Sequence, residues 1–304
     1  MRFSAPARID LAGGTIDIPP LCYLVEDSLT LNLAIDLRVT VGVSPGPHEN
    51  GRQGTLFDEV FRYFAVDKRA HTVAVESRIP RSSGLGGSSS LLVALVHAVD
   101  CLGFQDKGAV LKAVTVLEHR ILRKPAGTQD GVAALYGGLN AITFERGEAR
   151  RKALPLPAFL SGPLFLAYSP EQHHSGISNW EIVKAACEGD RRTLDTLNAL
   201  SRNAHGMHEA IVSEREASFL DALHHEAALR NRLCDSLLTP NMAAFAAALP
   251  EDIACKVCGA GGGGCMFLFG KNLEIDPLSC LAKEHGLEII SVMADPRGCV
   301  RVIP

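Results

Sequence analysis

Glycine is unevenly distributed along this chain, and its distribution is the feature that most restricts the fold. Half of the 28 glycines fall in four short windows, which are Ala5–Pro20, Pro80–Leu92, Gly127–Gly138 and Gly259–Gly264. Glycine has no Cβ atom, so it permits left-handed turns and lets the backbone approach another group closely. Because 47% of the residues are hydrophobic, these clusters indicate a folded globular protein whose loops contact a ligand or one another.

The charge and cysteine content exclude several functional classes. Lys and Arg number 30 against 34 Asp and Glu, so there is no basic surplus of the kind that nucleic-acid-binding proteins carry. No apolar run predicts a signal peptide or a membrane span. The nine cysteines are scattered, which favours free thiols in a reducing compartment. We expect a cytoplasmic monomer or homodimer with no nucleic-acid or membrane partner.

The apolar periodicity divides the chain into β-rich, helical and α+β stretches. Leu29–Val43 alternates apolar and polar residues, which predicts a long half-buried strand. Asp106 is expected to cap a helix that Pro125 stops, and Ser178–Leu249 is expected to be helical. Further strands are predicted at His71–Glu76, Leu139–Phe144, Leu164–Tyr168, Lys256–Cys258, Cys265–Phe269, Glu288–Met293 and Cys299–Ile303, further helices at Ser88–Leu102 and Leu278–Glu284, and a turn at Arg146-Gly147. We expect an α+β fold with two domains, residues 1–165 and 166–304.

The window Pro80–Leu92 carries the strongest chemical signal, because three glycines and three consecutive serines precede an apolar helix. Bare backbone N–H groups at the positive end of a helix dipole bind anions, most simply phosphate. A serine-capped helix would need only one serine and at most one glycine. The G-x-x-x-x-G-K-[ST] pattern of the Walker loop does not occur. The sequence therefore predicts a phosphate site of another type.

The window Gly259–Gly264 formally matches the G-x-G-x-x-G pattern of dinucleotide-binding proteins. The residues that follow it are typical of a strand rather than a helix, so we reject that interpretation. Four consecutive glycines exceed what a hairpin turn requires. We expect this loop to pack closely against the first glycine loop or against a ligand. The single C-x-x-C pair formed by Cys255 and Cys258 is weak evidence for a metal site.

Two acidic residues are candidates for the chemistry. Asp130 lies between glycines after a helix that ends at a proline, so it can project into a cleft. Glu118 borders the apolar stripe of that helix, and its carboxylate is either buried or partly exposed near Arg120. An acidic group aimed at a phosphate site needs a cation to offset it, and Mg²⁺ with a nucleotide would serve.

Four motifs occur together along the chain. They are P-A-R-I-D-L-A-G-G-T-I-D from Pro6, S-S-G-L-G-G-S-S-S from Ser82, G-T-Q-D-G-V-A-A-L-Y-G-G-L-N from Gly127 and K-V-C-G-A-G-G-G-G-C from Lys256. The combination resembles the GHMP kinases, the superfamily of galactokinase and of homoserine, mevalonate and phosphomevalonate kinases. The third motif is most similar to sugar kinases of the heptose-7-phosphate, fucose and galactose type. The resemblance implies an N-terminal ATP-binding domain like domain 2 of ribosomal protein S5, and a C-terminal domain that is helical plus ferredoxin-like.

The resemblance also implies roles for individual residues. Asp130 matches the catalytic aspartate that takes or orients the hydroxyl proton, and Arg8 matches the arginine that keeps it ionised. Glu118 matches the glutamate that binds Mg²⁺, and Ser88 matches the serine that meets Mg²⁺ or the β/γ-phosphates, with Ser89 as the close alternative. ATP is expected to contact Ser83, Gly84, Leu85, Gly86, Gly87, Ser88, Ser89 and Ser90. The acceptor is expected to contact Gly14, Thr15, Asp17, Gly137, Gly259, Ala260 and Gly261.

The implied function is ATP- and Mg²⁺-dependent transfer of a phosphoryl group to a hydroxyl, the anomeric one, of a small sugar or sugar phosphate. A mevalonate- or phosphomevalonate-type kinase and a non-catalytic sensor of a sugar and a nucleotide remain alternatives. The segment that contains His173, His174 and Trp180 is either a substrate lid or a capped inter-domain loop.

Overall fold

The computed structural model describes residues 1–46, 55–99, 106–145, 148–172, 176–234, 236–271 and 273–303. The strands are β1 Arg2–Ala12, β2 Leu29–Pro45, β3 His71–Ser77, β4 Leu139–Glu145, β5 Glu148–Leu154, β6 Leu164–Gln172, β7 Ile253–Val257, β8 Gly263–Gly270, β9 Glu288–Val292 and β10 Val300–Arg301. The helices are α1 Leu21–Leu24, α2 Thr55–Tyr63, α3 Gly87–Val99, α4 Lys107–Leu122, α5 Gln129–Tyr136, α6 Gly176–Cys187, α7 Arg191–Val212, α8 Glu216–Leu233, α9 Pro240–Ala248 and α10 Ile275–Glu284. The expected α+β class is confirmed.

A six-stranded antiparallel sheet is organised around β2. Its order is β10-β1-β2-β4-β5, and β3 also pairs with β2. Two strands pair with the same edge of β2. Leu29–Leu33 of β2 pairs with β4, and Val39–Pro45 of β2 pairs with β3. The predicted alternation of burial holds in the second half of β2. In the first half both faces are buried, because α5 and α7 also contact this strand.

A second antiparallel sheet has four strands in the order β7-β8-β6-β9. Helices α9 and α10 cover it, with Met242, Phe245 and Leu278 packed against strand residues such as Met266. The last strand, β10, leaves this region and pairs with β1 in the first sheet. The division into residues 1–165 and 166–304 stays a prediction.

One hydrophobic core joins the two sheets through α7 and α8. Phe219 of α8 is fully buried, and its ring lies 4.8 Å from that of Phe269 on β8 and 5.2 Å from that of Phe159. The same cluster contains Ile9 of β1 and Leu33 of β2. Because this core spans both sheets, loops from distant parts of the sequence are fixed relative to one another.

The predicted helix ends follow from local chemistry. The Asp106 side chain accepts a hydrogen bond of 2.9 Å from the Ala109 N–H, as an N-cap does. Helix α4 ends at Arg123 in the left-handed conformation, two residues before Pro125. The predicted turn at Arg146-Gly147 and the end of the helix predicted to reach Leu102 lie outside the described residues. Among the helices that the structure describes, none is long and apolar enough to cross a membrane.

The two glycine loops pack directly against each other, so the expected close contact is with the first loop. The Cys265 N–H donates a hydrogen bond of 2.8 Å to the Ser83 carbonyl. A Cβ atom on Gly84 would lie 2.3 Å from the Cys258 oxygen, and one on Gly259 would lie 2.7 Å from the Gly84 oxygen. Backbone therefore meets backbone here, which only glycine allows.

We expect Gly264→Ala to destabilise the fold more than Gly189→Ala does. Both glycines have a left-handed φ, +83° and +81°. A Cβ on Gly264 would lie 2.7 Å from the Ser82 and Ser83 oxygens, whereas one on Gly189 would meet nothing within 4 Å. Strain alone should cost Gly189→Ala about 1–2 kcal/mol, and Gly264→Ala should lose roughly 1–3 kcal/mol more. Urea unfolding measures the free energy of unfolding of both variants. Equal losses of stability would show that the contact between the loops tolerates a side chain at Gly264.

Candidate active site

A polar cleft of about 230 Å³ lies where the two glycine loops meet the end of β1 and the start of α5. The polar residues that line it are Arg8, Asp10, Thr15, Asp17, Ser88, Ser89, Glu118, Gln129, Asp130, Asn179 and Arg230. They come from β1 and the turn after it, from α3, α4 and α5, and from α6 and α8. The fold therefore gathers most of the expected site residues in one place.

A second cavity of about 390 Å³ adjoins the first glycine loop and shares Gly84 and Ser88 with the polar cleft. Its lining is largely apolar and includes Val39, Leu56, Val75, Ile79, Pro80 and Leu91. Pro80 and Leu91 belong to the glycine-serine window, whereas no sequence motif marks Val39, Leu56 and Val75, which are ordinary apolar positions of β2, α2 and β3. The glycine-serine loop thus lies between an apolar cavity and a polar cleft.

The glycine-serine loop turns sharply before α3 begins at Gly87. Gly84 and Gly86 have φ angles of +72° and +73°. A Cβ on Gly86 would lie 3.2 Å from the Asp130 carboxylate, so this glycine also makes room for the acid. Gly84, Ser88 and Ser89 line the polar cleft, and Gly87 lines the apolar cavity.

Three residues of this loop that are expected to contact ATP also bond to the protein. The Ser83 carbonyl accepts from Cys265, and the Leu85 carbonyl accepts a hydrogen bond of 3.0 Å from the Arg8 N–H. The Ser90 hydroxyl donates to the Pro6 carbonyl at 2.7 Å. These bonds hold the loop in shape, and the contact of Ser83, Leu85 and Ser90 with ATP stays a prediction.

Arg8 and Asp130 form an ion pair in the cleft, as expected. The Arg8 Nε atom lies 2.7 Å from Asp130 Oδ1, and Arg8 Nη1 donates to the Gly84 carbonyl. Burial by itself would lower the pKa of Arg8, but the charges of Asp130 and Asp10 raise it above its usual value. Asp130 keeps 25% of its side chain exposed, so it can meet a ligand. It stands in the first turn of α5, a helix that sequence reasoning missed.

The carboxyl group of Glu118 is buried. Of the two interpretations of the sequence, a buried and a partly exposed carboxylate, the first therefore holds. Burial, followed by the charge of Asp130, raises its pKa to about 8. Ser89 donates a hydrogen bond to Glu118 Oε1, whereas Ser88 is exposed at the start of α3. The serine beside the glutamate is therefore Ser89, the close alternative, rather than Ser88.

Asp17 is also buried at the cleft wall. Its Oδ2 accepts a hydrogen bond of 3.0 Å from the Gln129 N–H, and a Cβ on Gly127 would lie 1.9 Å from this oxygen. Burial is the main cause that raises the pKa of Asp17 to about 7, and the charges of Asp130 and Asp10 raise it further. Gly127 is therefore needed because an aspartate occupies the space of its side chain.

Comparison with known proteins finds similar kinases. A family model described as "GHMP kinases N terminal domain" matches residues 55–138. Two fucokinase relatives, from Arabidopsis thaliana and Bacteroides fragilis, are 22% and 26% identical over 90% and 88% of this chain. The chain spans 30% and 34% of their lengths. The D-glycero-alpha-D-manno-heptose 7-phosphate kinase of Campylobacter jejuni is 23% identical over 94% of both chains.

Residues 55–138 thus carry a match to the N-terminal domain of the GHMP kinases. A mevalonate kinase of Methanothermobacter thermautotrophicus is also similar, at 27% identity over 86% of this chain and 87% of its own. Among solved structures, a D-glycero-D-manno-heptose 1-phosphate kinase from Bacteroides thetaiotaomicron superimposes with a TM-score of 0.76 at 16% identity, over 100% of this chain and 99% of its own. The two-domain GHMP kinase fold expected from the sequence is therefore confirmed.

Four buried charged residues at or beside the cleft were not anticipated. Lys256 Nζ lies 3.0 Å from Asp10 Oδ2 and donates to the Asp10 carbonyl at 2.6 Å. Arg230 donates to the Thr15 hydroxyl at 2.8 Å and to the Gly259 carbonyl. Glu226, one turn earlier on α8, accepts a hydrogen bond of 3.0 Å from the Gly13 N–H. Burial raises the pKa of Glu226 to about 7.

A signal for two of these residues was present in the sequence. Phe219, Leu223, Glu226 and Arg230 follow the spacing of a helical apolar stripe, and all four are buried. Charged residues at stripe positions are costly unless they are paired, so they indicate a buried polar site. The stripe of α8 could therefore have revealed Glu226 and Arg230.

The remaining acceptor residues divide into two groups. Thr15, Gly259 and Ala260 line the cleft, and Gly14 covers the Asp10 carboxylate. Gly137 lies against the backbone of Arg297 and Gly298, and Gly261 lies against Leu237. Gly137 and Gly261 are not among the residues that line the cleft, and their contact with the acceptor stays a prediction.

The structure bears only in part on two further hypotheses, the lid around His173 and the metal site at Cys255 and Cys258. His173 and His174 lie outside the described residues, and Trp180 of α6 is 45% exposed. In the described part of the chain the cysteines are free thiols. No group of three or more His, Cys, Asp or Glu side chains there could hold a metal by itself.

Replacing Asp17 by asparagine is expected to stabilise the unliganded protein in a pH-dependent way. A buried carboxyl whose pKa rises from 3.8 to about 7 binds a proton in the folded state that the unfolded chain releases. The wild type therefore loses stability as pH rises from about 4 to 7, by at most about 1.4 kcal/mol per pH unit. The advantage of Asp17→Asn should grow over this interval and level off above it.

Urea unfolding at several pH values measures this difference. Asp221→Asn serves as the control, because Asp221 is exposed on α8. An advantage that stays constant from pH 4 to 8 would contradict the strained state of Asp17.

Proposed function

We propose that this protein transfers the γ-phosphoryl group of ATP to a hydroxyl of a small sugar or sugar phosphate. The observation that carries the proposal is the glycine-serine loop between two cavities, with the Arg8–Asp130 pair beside it. An apolar cavity suits a nucleoside, a polar cleft suits a hydroxylated acceptor, and the loop between them suits the phosphates that join the two. Transfer requires this linear order of parts.

The nucleotide is proposed to bind with its base in the apolar cavity. Val39, Leu56 and Ile79 supply apolar contact there. The phosphates would lie along Gly84–Ser89, where backbone N–H groups and the N-terminus of α3 favour negative charge. Gly84 and Ser88 belong to both cavities, so a molecule that spans the loop touches both.

Glu118 and Ser89 fit a site for Mg²⁺. Glu118 is 6% exposed, and the hydroxyl of Ser89 is the hydrogen-bond partner of its carboxyl. A carboxyl group with a pKa of about 8 gains from a nearby cation, because a cation restores its ionised form. One carboxylate and one hydroxyl suit Mg²⁺, which usually takes its other ligands from phosphates and water. When bound, Mg²⁺ offsets the negative charge of the phosphates.

Asp130 is proposed to accept the proton of the attacking hydroxyl. It is partly exposed in the cleft, and its Oδ1 atom is held at 2.7 Å by Arg8 Nε. Arg8 is itself fixed by the Gly84 carbonyl, so the pair ties the base to the phosphate loop. Positioning of this kind lowers the barrier by removing the freedom of the reacting groups. Thr15 and Asp17 would bind the acceptor from the other side of the cleft.

The anomeric hydroxyl is the proposed acceptor atom. One fucokinase relative is named L-fucokinase/L-fucose-1-P guanylyltransferase, and its name places the phosphate on C1. A mevalonate-type kinase is the second candidate, because a mevalonate kinase matches 86% of this chain. A non-catalytic sensor is disfavoured, because Asp130 and Glu118 are both present in the cleft.

The variant Asp130→Asn is expected to bind ATP but to lose turnover by roughly 10²–10⁴-fold. An amide keeps the shape and a hydrogen-bond acceptor for Arg8, but it cannot take a proton. ATP consumption over monosaccharides, heptose 7-phosphate and mevalonate identifies the acceptor, and calorimetry follows ATP binding. Asp221→Asn is the matched control and should behave like the wild type. Undiminished phosphorylation by Asp130→Asn would refute the proposed base.

A further inference from the structure

Two asparagines lie side by side in the interior of the first sheet. Asn32 of β2 and Asn140 of β4 are direct partners in the antiparallel ladder, and neither side chain is exposed to solvent. Asn32 belongs to the polar side of the alternating strand that the sequence predicts to be half-buried, but in the structure α5 contacts this strand and both faces are buried here. Burying an amide costs free energy unless its donors and its acceptor are paired. The partners of these two amides are therefore informative.

Hydrogen bonds link the two asparagines in a chain with a fixed direction. Arg151 of β5 donates through Nε to Asn140 Oδ1 at 2.6 Å, and Asn140 Nδ2 donates to Asn32 Oδ1 at 2.9 Å. A guanidinium group can only donate, so Asn140 must turn its oxygen atom toward Arg151 and its amide nitrogen toward Asn32. Asn32 must then turn its own amide nitrogen the other way. Its Nδ2 donates to the Gln129 carbonyl at 2.7 Å.

The chain of hydrogen bonds ends on the residue before the proposed base. The Gln129 carbonyl belongs to the peptide bond that joins Gln129 to Asp130, and Asp17 Oδ2 accepts a hydrogen bond of 3.0 Å from the Gln129 N–H. In the described part of the chain, the Thr128 side chain at the N-cap of α5 makes no capping hydrogen bond. The first turn of α5 is therefore held from outside the helix, by the turn after β1 on one side and by Asn32 of β2 on the other.

An apolar pair in place of the asparagines would fill the same space but would not set a direction. Apolar packing is non-directional, whereas hydrogen bonds weaken steeply when donor and acceptor are misaligned. Direction matters here because Asp130 stands in the first turn of α5, with its Oδ1 atom 2.7 Å from Arg8 Nε and part of its side chain exposed in the cleft. A rotation of α5 about its axis would move this carboxylate relative to both Arg8 and the cleft.

We propose that Asn32 and Asn140 are positioning residues that fix the peptide bond before Asp130 and thereby orient the base toward the acceptor. The proposal rests on the kinase function above and adds to it two residues that do not line the described cleft. They act through Gln129, so their loss should leave the phosphate loop and the nucleotide site unchanged. A displacement of about 1 Å in a reacting group lowers a rate by roughly 100-fold.

The variant Asn32→Val tests this role, because valine suits a strand and its side chain cannot donate a hydrogen bond. Asn140 keeps the carbonyls of Gly137 and Gly138 as acceptors, at 3.2 and 3.1 Å, so the variant should fold. The assay uses the acceptor that the ATP-consumption screen identifies. The kcat should fall roughly 10- to 100-fold, while KM for ATP stays unchanged.

The control for this assay is Thr40→Val. It loses a side-chain hydrogen bond of 3.1 Å to Ser4 elsewhere on β2, and it should keep the wild-type kcat. An unchanged kcat in Asn32→Val, or a loss of kcat/KM that comes from a higher KM for ATP, would overturn the proposal.

Two further variants separate positioning from stability. Asn140→Val leaves Asn32 Oδ1 buried without its donor, which should lower both the urea midpoint and kcat. Adding Asn32→Val removes that unpaired oxygen, so the urea midpoint of the double variant should rise above that of Asn140→Val. Its kcat should stay as low as that of Asn32→Val, because both asparagines act through one contact. Recovery of kcat together with the urea midpoint would show a merely structural role and overturn the proposal.

Crystal structures test the positioning without turnover, so its failure can be told apart from failure of the kinase function. The wild type and Asn32→Val would be compared with Mg²⁺ and a non-hydrolysable ATP analogue bound. The Asp130 carboxylate should shift by about 0.5 Å or more relative to Arg8, with the pairing of β2 and β4 intact. An unshifted Asp130 would overturn the proposal even where the kinase function holds. A wild type that phosphorylates no acceptor would refute the kinase function, and a shifted Asp130 would still support the positioning.

Discussion

The backbone contact between the two glycine loops holds the cleft together. Gly84 and Gly259 touch without side chains between them, and Cys265 donates to the Ser83 carbonyl at 2.8 Å. Each loop also supplies a carbonyl to a buried guanidinium, Gly84 to Arg8 and Gly259 to Arg230. These contacts join a loop that precedes α3 to one between β7 and β8. The positions of the Arg8 and Arg230 guanidinium groups in the cleft therefore depend on that junction.

Acidic groups explain much of the glycine content around the cleft. A Cβ on Gly14, Gly86 or Gly127 would meet Asp10, Asp130 or Asp17 at 2.1, 3.2 and 1.9 Å. Glycine therefore serves here to make room for buried carboxylates. Burial leaves Asp17 and Glu118 with raised pKa values of about 7 and 8. Ionising either carboxyl is therefore costly, and the cation proposed beside Glu118 would favour its ionised form.

Sequence reasoning found the parts of the site that lie in compact motifs. The family resemblance implied the neighbouring pair Arg8 and Asp130. Burial was one of two interpretations of Glu118, and contact with the first glycine loop was one of two interpretations of Gly259–Gly264. The pairing of Arg230 with Thr15 and of Lys256 with Asp10 was not predicted, because each pair is more than 200 residues apart in sequence. Pairing over such a separation is decided by the tertiary core, and no local pattern reports it.

Some elements were missed for equally physical reasons. Strand β5 reads E-A-R-R-K-A-L and is mostly exposed, so its sequence shows charge rather than alternation. Helix α5 has only eight residues and contains Gly131, which weakens its helical signal. The apolar cavity beside the glycine-serine loop combines scattered positions of two strands and two helices. The glycine-serine window supplies one wall of it, but the strand residues opposite are brought there by packing and carry no motif.

The central claim is that the phosphates of a bound nucleotide lie on the glycine-serine loop, between the two cavities. A crystal structure with a non-hydrolysable ATP analogue and Mg²⁺ tests this claim most directly. The account predicts the base against Ile79 and Leu56, the phosphates along Gly84–Ser89, and the metal beside Glu118, with the hydrogen bond from Ser89 to Glu118 broken. A nucleotide bound away from this loop, or a Glu118 that keeps its bond to Ser89 with no cation nearby, would contradict it.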